Sequence, residues 1–263
     1  MNLLDWQQRH LVGNLLRRRI EARYRGSVLG LAWTVLLPLA MLGVYTLVFS
    51  HFLKIRWPGA VAGDGLVTAL NIYLGLIVFN YAAENLSGAS NLVVEHQSYV
   101  KKIVFPLPIL AHVAALASLV PLVLGLGILA AFAQFAPEAR PVRLLALPVY
   151  WLSLPLWALA LNWWLAAFGV YLRDINHLMS PATTALLFLS PVFYAVDILP
   201  APWNVWFWLN PLTQPIEDAR ALLFAPAWPN PLPALGGCLA ALLSAVAGRW
   251  VFDRLKKGFA DVL

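Results

Sequence analysis

Six long stretches of this chain contain no Lys, Arg, Asp or Glu, and the shortest is 19 residues long. They are residues 26–53, 65–83, 103–137, 144–172, 175–196 and 221–248. A bilayer core about 30 Å thick is crossed by roughly 20 apolar residues in a helix, so each stretch can span it. Charged residues make up only 11% of the sequence, whereas soluble domains average about 25%. We therefore predict an integral membrane protein that transports, senses, or acts on a lipid-embedded substrate.

The spacing of these stretches predicts an all-α integral membrane fold with six transmembrane helices. The predicted spans are residues 28–52, 66–86, 105–135, 144–172, 178–196 and 234–252. Because little sequence lies between them, we expect residues 1–263 to form a single transmembrane domain. Residues 1–27 precede the spans, residues 28–252 contain them, and residues 253–263 form a tail. Pro38 lies in the first span and is expected to kink it, because proline lacks a backbone donor.

The distribution of basic residues predicts the orientation of the spans. Six spans place both termini on one side, and 13 of the 18 Lys and Arg residues fall on that side. Since positively charged loops are retained in the cytoplasm, both termini are predicted to be cytoplasmic. The basic residues flank spans and do not form a groove, so we expect no nucleic-acid partner.

The residues before the first span show helical spacing. Leu4, Leu11, Leu15 and Ala22 fall on one face, and arginines flank that stripe. One interpretation is a cytoplasmic interfacial helix whose basic residues face anionic lipid heads. The alternative is a solvated basic tail. This polar beginning lacks the short apolar run of a cleavable signal peptide, so none is expected.

Residues 197–233, which we name the outer segment, are apolar but contain eight prolines. A straight span with so many prolines is not expected. We predict a re-entrant pair of short helices at a cavity or gate, because irregular backbone at membrane depth must be satisfied by protein or water. The alternative is an aromatic belt in the outer leaflet. The aromatic residues expected at the gate are Trp203, Trp206, Phe207 and Trp208.

Motifs of catalysis are missing from this sequence. It contains no Gly-x-x-x-x-Gly-Lys-Ser/Thr loop, so the chain is not expected to hydrolyse ATP by itself. Its five histidines form neither His-x-x-x-His nor His-Glu-x-x-His, so no metal site is predicted. We expect a protein without cofactor and without enzymatic activity of its own.

The spans offer aromatic surface in place of ionisable groups. Six residues, which we name the aromatic surface, are predicted to line a channel. They are Tyr45, Phe49 and Phe52 in the first span and Phe188, Phe193 and Tyr194 in the fifth. Aromatic rings stack on the C–H faces of sugars without demanding one stereochemistry, which suits passage of a long sugar chain. Ordinary helix packing explains the same residues, and periodicity leaves both interpretations open.

Several runs, in order along the chain, resemble polysaccharide-exporting ABC transporter permeases of the type-2 class. Residues 19–38 read RIEARYRGSVLGLAWTVLLP, which is similar to the basic segment and proline-kinked first span of that family. Further matches are VKKIVFP at 100–106, YLRD at 171–174, SPVFY at 190–194 and WLNPL at 208–212. The resemblance is to the branch that exports O-antigen, a part of lipopolysaccharide, or teichoic acid, more than to the capsule branch.

The resemblance implies partners and a location. Such permeases work as homodimers with two copies of a separate ATPase, which binds ATP and Mg, in the bacterial inner membrane. Residues 91–99, which we name the coupling loop, would dock into each ATPase. The residues expected to make that contact are Asn91, Glu95, His96 and Tyr99, with Glu95 and His96 at the tip. The outer segment would form gate helices.

The implied substrate is a polysaccharide on an undecaprenyl-diphosphate carrier. Arg23 and Arg25 lie at the inner leaflet, where the diphosphate would arrive. A guanidinium pairs bidentately with phosphate oxygens. The alternative for both arginines is simple snorkelling toward the lipid headgroups.

Three other classes of function are alternatives to this one. The first is a permease of an ABC exporter for drugs or small molecules. The second is a membrane enzyme acting on lipid-linked sugars, which would need an acidic or histidine cluster that the sequence does not contain. The third is a structural membrane protein, which would not stimulate an ATPase.

Overall fold

The computed structural model describes residues 6–24, 32–52, 57–58, 65–100, 105–136, 138–200 and 203–263. These residues form helices joined by turns, and no strand occurs among them, which confirms the predicted all-α class for this part of the chain. The longer helices are α1 (Trp6–Tyr24), α2 (Trp33–Tyr45), α3 (Gly65–Ala89), α5 (Ile109–Ala133), α7 (Ser153–Tyr171), α8 (Ile175–Leu189), α10 (Thr213–Phe224) and α11 (Pro231–Leu255). The short ones are α4 (Gln97–Val100), α6 (Leu147–Tyr150), α9 (Trp203–Phe207) and α12 (Phe259–Val262).

Among the described residues, four helical segments are long and apolar enough to cross a membrane. They are Gly65–Ala89, Ile109–Ala133, Ser153–Tyr171 and Pro231–Val262. Helix α2 continues as a π-helix over Thr46–Phe52, but its apolar part is shorter, at Val35–Val48. Helix α8 has 15 residues. The fold is thus that of a helical membrane protein.

Helix α3 forms the centre of the molecule. Its side chains are buried on every face, including Leu70, Ile72, Leu74 and Val78. It packs against α5, α7, α8 and α10. A helix that is apolar all round can be buried among other helices on every side, as α3 is here.

Small residues bring α7 and α11 close together. A Cβ added at Gly248 of α11 would lie 2.8 Å from Cδ1 of Trp164 in α7. The Trp164 Nε1–H also donates to the carbonyl of Ser244, at 3.2 Å. Close approach at small residues is the usual way in which membrane helices associate.

A polar network crosses the core. The side-chain amide of Asn85 donates to Oγ of Ser118 at 2.7 Å, and that of Asn162 donates to Oδ1 of Asn85 at 2.8 Å. All three residues are buried, and they lie on α3, α5 and α7. Interhelical hydrogen bonds of this kind hold membrane helices in register.

The predicted fifth span, 178–196, differs from the observed helix. Helix α8 begins earlier, at Ile175, and ends at Leu189, so that Pro181 lies inside it. Ser190 adopts an extended conformation, with φ −102° and ψ 147°. Proline disfavours the helical region for the residue before it, and Pro191 therefore ends the helix.

The predicted fourth span, 144–172, is divided. A 3₁₀ turn over Pro141–Ala146 leads into α6, and α7 begins only at Ser153. Pro155 has no N–H to donate to the carbonyl of Trp151, so a continuous helix cannot pass this point without losing a bond. The Trp151 carbonyl accepts from the N–H of Leu154 at 3.0 Å, and the indole N–H of Trp151 donates to the carbonyl of Pro215 at 2.8 Å.

Candidate functional site

The structure brings the two halves of the aromatic surface together. Tyr45, at the end of α2, and Phe193, after α8, have ring centroids 6.4 Å apart with planes tilted by 58°. This distance is within the range of favourable aromatic pairs. The first and fifth predicted spans therefore meet through these rings.

A second aromatic contact joins this region to the outer segment. The hydroxyl of Tyr194 donates to the carbonyl of Phe188 at 2.6 Å. Its ring meets that of Phe207 edge-on, with centroids 5.7 Å apart. The predicted channel and gate residues thus touch one another at Tyr194.

Several of the predicted aromatic side chains are exposed in the single chain. The exposed fraction is 65% for Phe52, 63% for Phe188, 63% for Trp206 and 47% for Trp208. The side chains of Phe49 and Trp203 lie outside the described residues. These exposed side chains can face lipid, a partner or a substrate.

Arg220, which sequence reasoning missed as a site residue, is the centre of a buried cluster beside these rings. It is 4% exposed. Its guanidinium donates to the carbonyls of Asn71 (3.1 Å) and Val192 (3.0 Å), and pairs with Oε1 of Glu217 at 2.8 Å. It also lies 4.3 Å from the ring centroid of Trp57.

The Arg220 cluster fastens α10 to α3 and to the turn after α8. Gly75 permits this approach, because a Cβ there would lie 3.0 Å from the Cα of Val192 and 3.2 Å from Nη2 of Arg220. The predicted orientation places Arg220 among five basic residues on the outer side. A glutamate three residues before the arginine is a sequence signal for their ion pair, but not for its burial.

Asn210 holds the turn that precedes α10. Its amide donates to the carbonyl of Leu189 (3.0 Å) and to Oγ of Ser190 (2.9 Å), and its Oδ1 accepts from the N–H of Leu212 (2.9 Å). One asparagine thereby joins the end of α8 to the start of α10. The Asn210–Pro211 pair belongs to the WLNPL run, so this motif has a structural role.

Two arginine side chains hold the C-terminal part of the outer segment. Arg140 and Arg143 both donate to the carbonyl of Ala225. Arg143 also lies 5.1 Å from the ring centroid of Trp228. Two arginines predicted to be outer-side charges thus fix the connection between α10 and α11.

The coupling loop is anchored on one side and exposed on the other. Leu92 and Val93 are buried in a cluster with residues of α7 and α11. Glu95 is exposed, whereas His96 is half-buried, with Nδ1 2.9 Å from the carbonyl oxygen of Leu92. Tyr99 packs between His96 and Phe105, with ring centroids 5.7 and 4.3 Å away. The loop therefore presents Glu95 on a fixed support.

The base of the coupling loop touches two other helices. A Cβ added at Gly169 of α7 would lie 2.1 Å from the carbonyl oxygen of Ser90. The Ser90 hydroxyl donates to Oδ1 of Asn176, in the first turn of α8, at 3.2 Å. A displacement of the loop would thus reach both helices through direct contacts.

Helix α1 is tied to α3 by one ion pair. Arg23 pairs with Glu84, and the side chains are 39% and 27% exposed. Arg25 lies outside the described residues.

Asn91, also predicted at the coupling loop, is half-buried, and its carbonyl accepts from the N–H of Glu95 at 2.9 Å.

The sequence pattern of the ABC-2 type transporters matches residues 10–224. This range covers most of the chain, which therefore belongs to the ABC-2 type transporter family. The predicted membership of the type-2 ABC permeases is thereby confirmed. Among the described residues, no group of three or more His, Cys, Asp or Glu side chains could hold a metal ion.

Relatives match the chain over nearly its whole length. The O-antigen export system permease protein RfbA of Myxococcus xanthus is 26% identical over 260 residues, covering 97% of this chain and 96% of the relative. A protein of the same description from Klebsiella pneumoniae is 20% identical over 251 residues, covering 95% and 93%.

Proposed function

We propose that this chain is the membrane subunit of an ABC exporter that moves O-antigen-like polysaccharide across the bacterial inner membrane. The observation that carries the proposal is the chain-long similarity to O-antigen export permeases. The aromatic surface supports it, because rings that pair across α2 and the turn after α8 suit a sugar chain. ATP hydrolysis, with ATP and Mg, belongs to a separate ATPase.

The proposed assembly is a homodimer with two ATPase subunits. Helices α2 and α8 are shorter than the four helical segments that can cross a membrane. In the proposed assembly they supply two further spans, which gives six spans with both termini in the cytoplasm. The exposed apolar residues of α2, including Leu37 (51%) and Val44 (50%), support a contact with a second copy or with lipid. Helices α9 and α10 would form the gate on the outer side.

In the proposed mechanism, ATP-driven closure of the partner subunits presses on the coupling loop. The buried anchors Leu92 and Val93 and the Ser90–Asn176 hydrogen bond support transmission to α7 and α8. Movement of α8 would then open the aromatic surface and the gate. The sugar chain passes between the protomers while the lipid carrier is flipped.

The proposed substrate is a polysaccharide linked to undecaprenyl diphosphate, which would reach the protein at Arg23 and Arg25. The pairing of Arg23 with Glu84 adds a condition to this proposal. A diphosphate would have to compete with the Glu84 carboxylate or share the guanidinium, which has five donors. We expect Glu84→Gln to strengthen diphosphate binding if Arg23 serves this purpose.

A deletion of the gene in its native host tests the function. We expect polymer to disappear from the cell surface and to accumulate on its lipid carrier inside the cell. Deletion of the partner ATPase gene should have the same effect, since both are needed for one export step. Surface polymer at the normal level in the permease deletion would contradict the proposal, and hypersensitivity to drugs in the same strain would point to a small-molecule exporter.

A further inference from the structure

A cavity of about 650 Å³ lies beside the outer segment, between α7, α10 and the beginning of α11. It is separate from the Tyr45–Phe193 pair. The residues that give it chemical character are Ser153, Trp157, Trp208, Gln214, Asp218 and Asn230. Its volume falls within the range of small-ligand pockets, about 300–1,000 Å³.

Asp218 is a buried acidic residue in the wall of this cavity. It is 3% exposed, and its Oδ1 accepts from Nε2 of Gln214 at 2.7 Å. Its Oδ2 is buried without a hydrogen-bond partner among the described residues. A buried polar atom normally has a hydrogen-bond partner, because leaving it unpaired is unfavourable. Asp218 lines the cavity, so a rotation of its carboxyl group toward the cavity would let a ligand there donate to this oxygen and give it a partner.

The charge of Asp218 restricts what that ligand can be. Burial raises the pKa of its carboxyl to about 6. The carboxylate would repel a phosphate or diphosphate. An acyl chain would fill the apolar space but leave Oδ2 unpaired. The ligand must therefore be a neutral or cationic group with hydrogen-bond donors.

The walls of the cavity favour a flat molecule with an apolar face. Trp157 and Trp208 supply indole rings, and Trp208 is 47% exposed. Gly236 and Gly237, on α11, leave open space, because a Cβ at either position would have no neighbour within 4 Å. A pyranose ring combines C–H faces that pack on an indole with hydroxyls that donate to a carboxylate.

We propose that this cavity binds one sugar unit of the exported polymer on the outer side of the permease. The inference rests on the proposed function and adds a specific site to it. Asp218 accepts hydrogen bonds from hydroxyls of the sugar, Gln214 fixes the carboxylate, and the indole rings pack on the sugar face. The site holds the chain as it leaves the gate.

Photo-crosslinking in cells that make the native polymer tests the site. The photoreactive residue p-benzoylphenylalanine replaces Gly237 in the full exporter, and the same residue replaces Gly127 as the matched control. Gly127 lies in α5, is exposed, and likewise has no neighbour within 4 Å of an added Cβ. After irradiation, antibody against the polymer should detect an adduct at position 237 and none at position 127.

The carboxylate is tested in the same experiment. Asp218→Asn keeps the shape and the contact with Gln214 but removes the charge, and a hydrogen bond to a charged group is stronger than one to a neutral group. We expect the adduct at position 237 to fall about tenfold or more at equal permease levels. Glu138→Gln, at an exposed acidic residue, should leave the adduct unchanged.

The outcomes separate this inference from the function on which it rests. If deletion of the gene leaves surface polymer intact, the proposed function fails. If deletion abolishes surface polymer but position 237 gives no polymer adduct, only the sugar site is overturned. An adduct that mass spectrometry identifies as phospholipid, or one that Asp218→Asn does not weaken, also overturns the site.

Discussion

Arg220 joins three parts of the fold through one guanidinium group. Its donors reach carbonyls of α3 and of the turn after α8, and its charge is balanced by Glu217 in its own helix. A buried cation is tolerated only when it is paired and hydrogen-bonded. The cluster is therefore a structural anchor for the gate that we propose.

We expect Arg220→Met to destabilise the permease by about 3–5 kcal/mol, because it leaves Glu217 and the carbonyls without their donor. Thermal unfolding of the detergent-solubilised protein measures this. Arg17→Met is the control, since Arg17 and Glu21 are 81% and 59% exposed and should contribute nothing measurable. Equal unfolding temperatures for wild type and Arg220→Met would contradict the anchor role.

Gly169 is a second single residue on which packing depends. Gly169→Ala would place a methyl group 2.1 Å from the Ser90 carbonyl oxygen, so α3 and α7 must separate at the base of the coupling loop. We expect a loss of stability of a few kcal/mol, as for other overpacked sites, and a loss of ATPase stimulation in the reconstituted exporter.

Gly88→Ala provides the matched control for that substitution. Gly88 lies two residues before Ser90, and an added Cβ there has no neighbour within 4 Å. Alanine should therefore be neutral or stabilise α3 by up to about 1 kcal/mol. Similar unfolding temperatures for the two variants would show that the close contact at Gly169 is not decisive.

At the scale of helices, the aromatic surface is formed where the end of α2 meets the segment after α8. The paired rings of Tyr45 and Phe193 and the contact of Tyr194 with Phe207 make one connected group from three elements. The proline-ended helix α8 makes this possible, because it turns the chain at Ser190 and directs Phe193 back toward α2.

The double substitution Tyr45→Leu and Phe193→Leu tests whether these rings guide the polymer. Leucine keeps apolar volume but has no ring face, so we expect export to fall severalfold while folding is retained. Surface polymer, quantified at equal permease levels, is the measurement. Phe135→Leu, at a 76% exposed phenylalanine at the end of α5, is the control and should export normally. Full export by the double variant would refute the stacking role.

Periodicity and proline positions predicted most of these elements. The apolar stretches identified α3, α5, α7 and α11, since length and hydropathy alone mark such helices. Pro155 and Pro191 explain why the bounds of α7 and α8 differ from those predicted from the apolar stretches. The Asn85–Ser118–Asn162 network and the cavity at Asp218 were not predictable, because they depend on which faces of distant helices meet.

At the scale of the whole molecule, the predicted orientation has a direct test. Cys238 is the single cysteine, so Cys238→Ser gives a background for new cysteines at Glu95 and Glu138. An impermeant maleimide should label Glu138→Cys in intact spheroplasts and Glu95→Cys only after permeabilisation. Labelling of both before permeabilisation, or the reverse pattern, would overturn an arrangement with the coupling loop in the cytoplasm.

By itself, the sequence determined that this protein is a helical membrane protein and, through its ordered motifs, an ABC-2 type transporter. Those properties are local: a charge-free stretch or a short motif carries its meaning wherever the chain folds. Only the tertiary structure decided which polar groups are buried and what they contact. Arg220 and Asp218 look like ordinary outer charges in the sequence, but close packing places one among three carbonyls and leaves the other at the wall of a cavity.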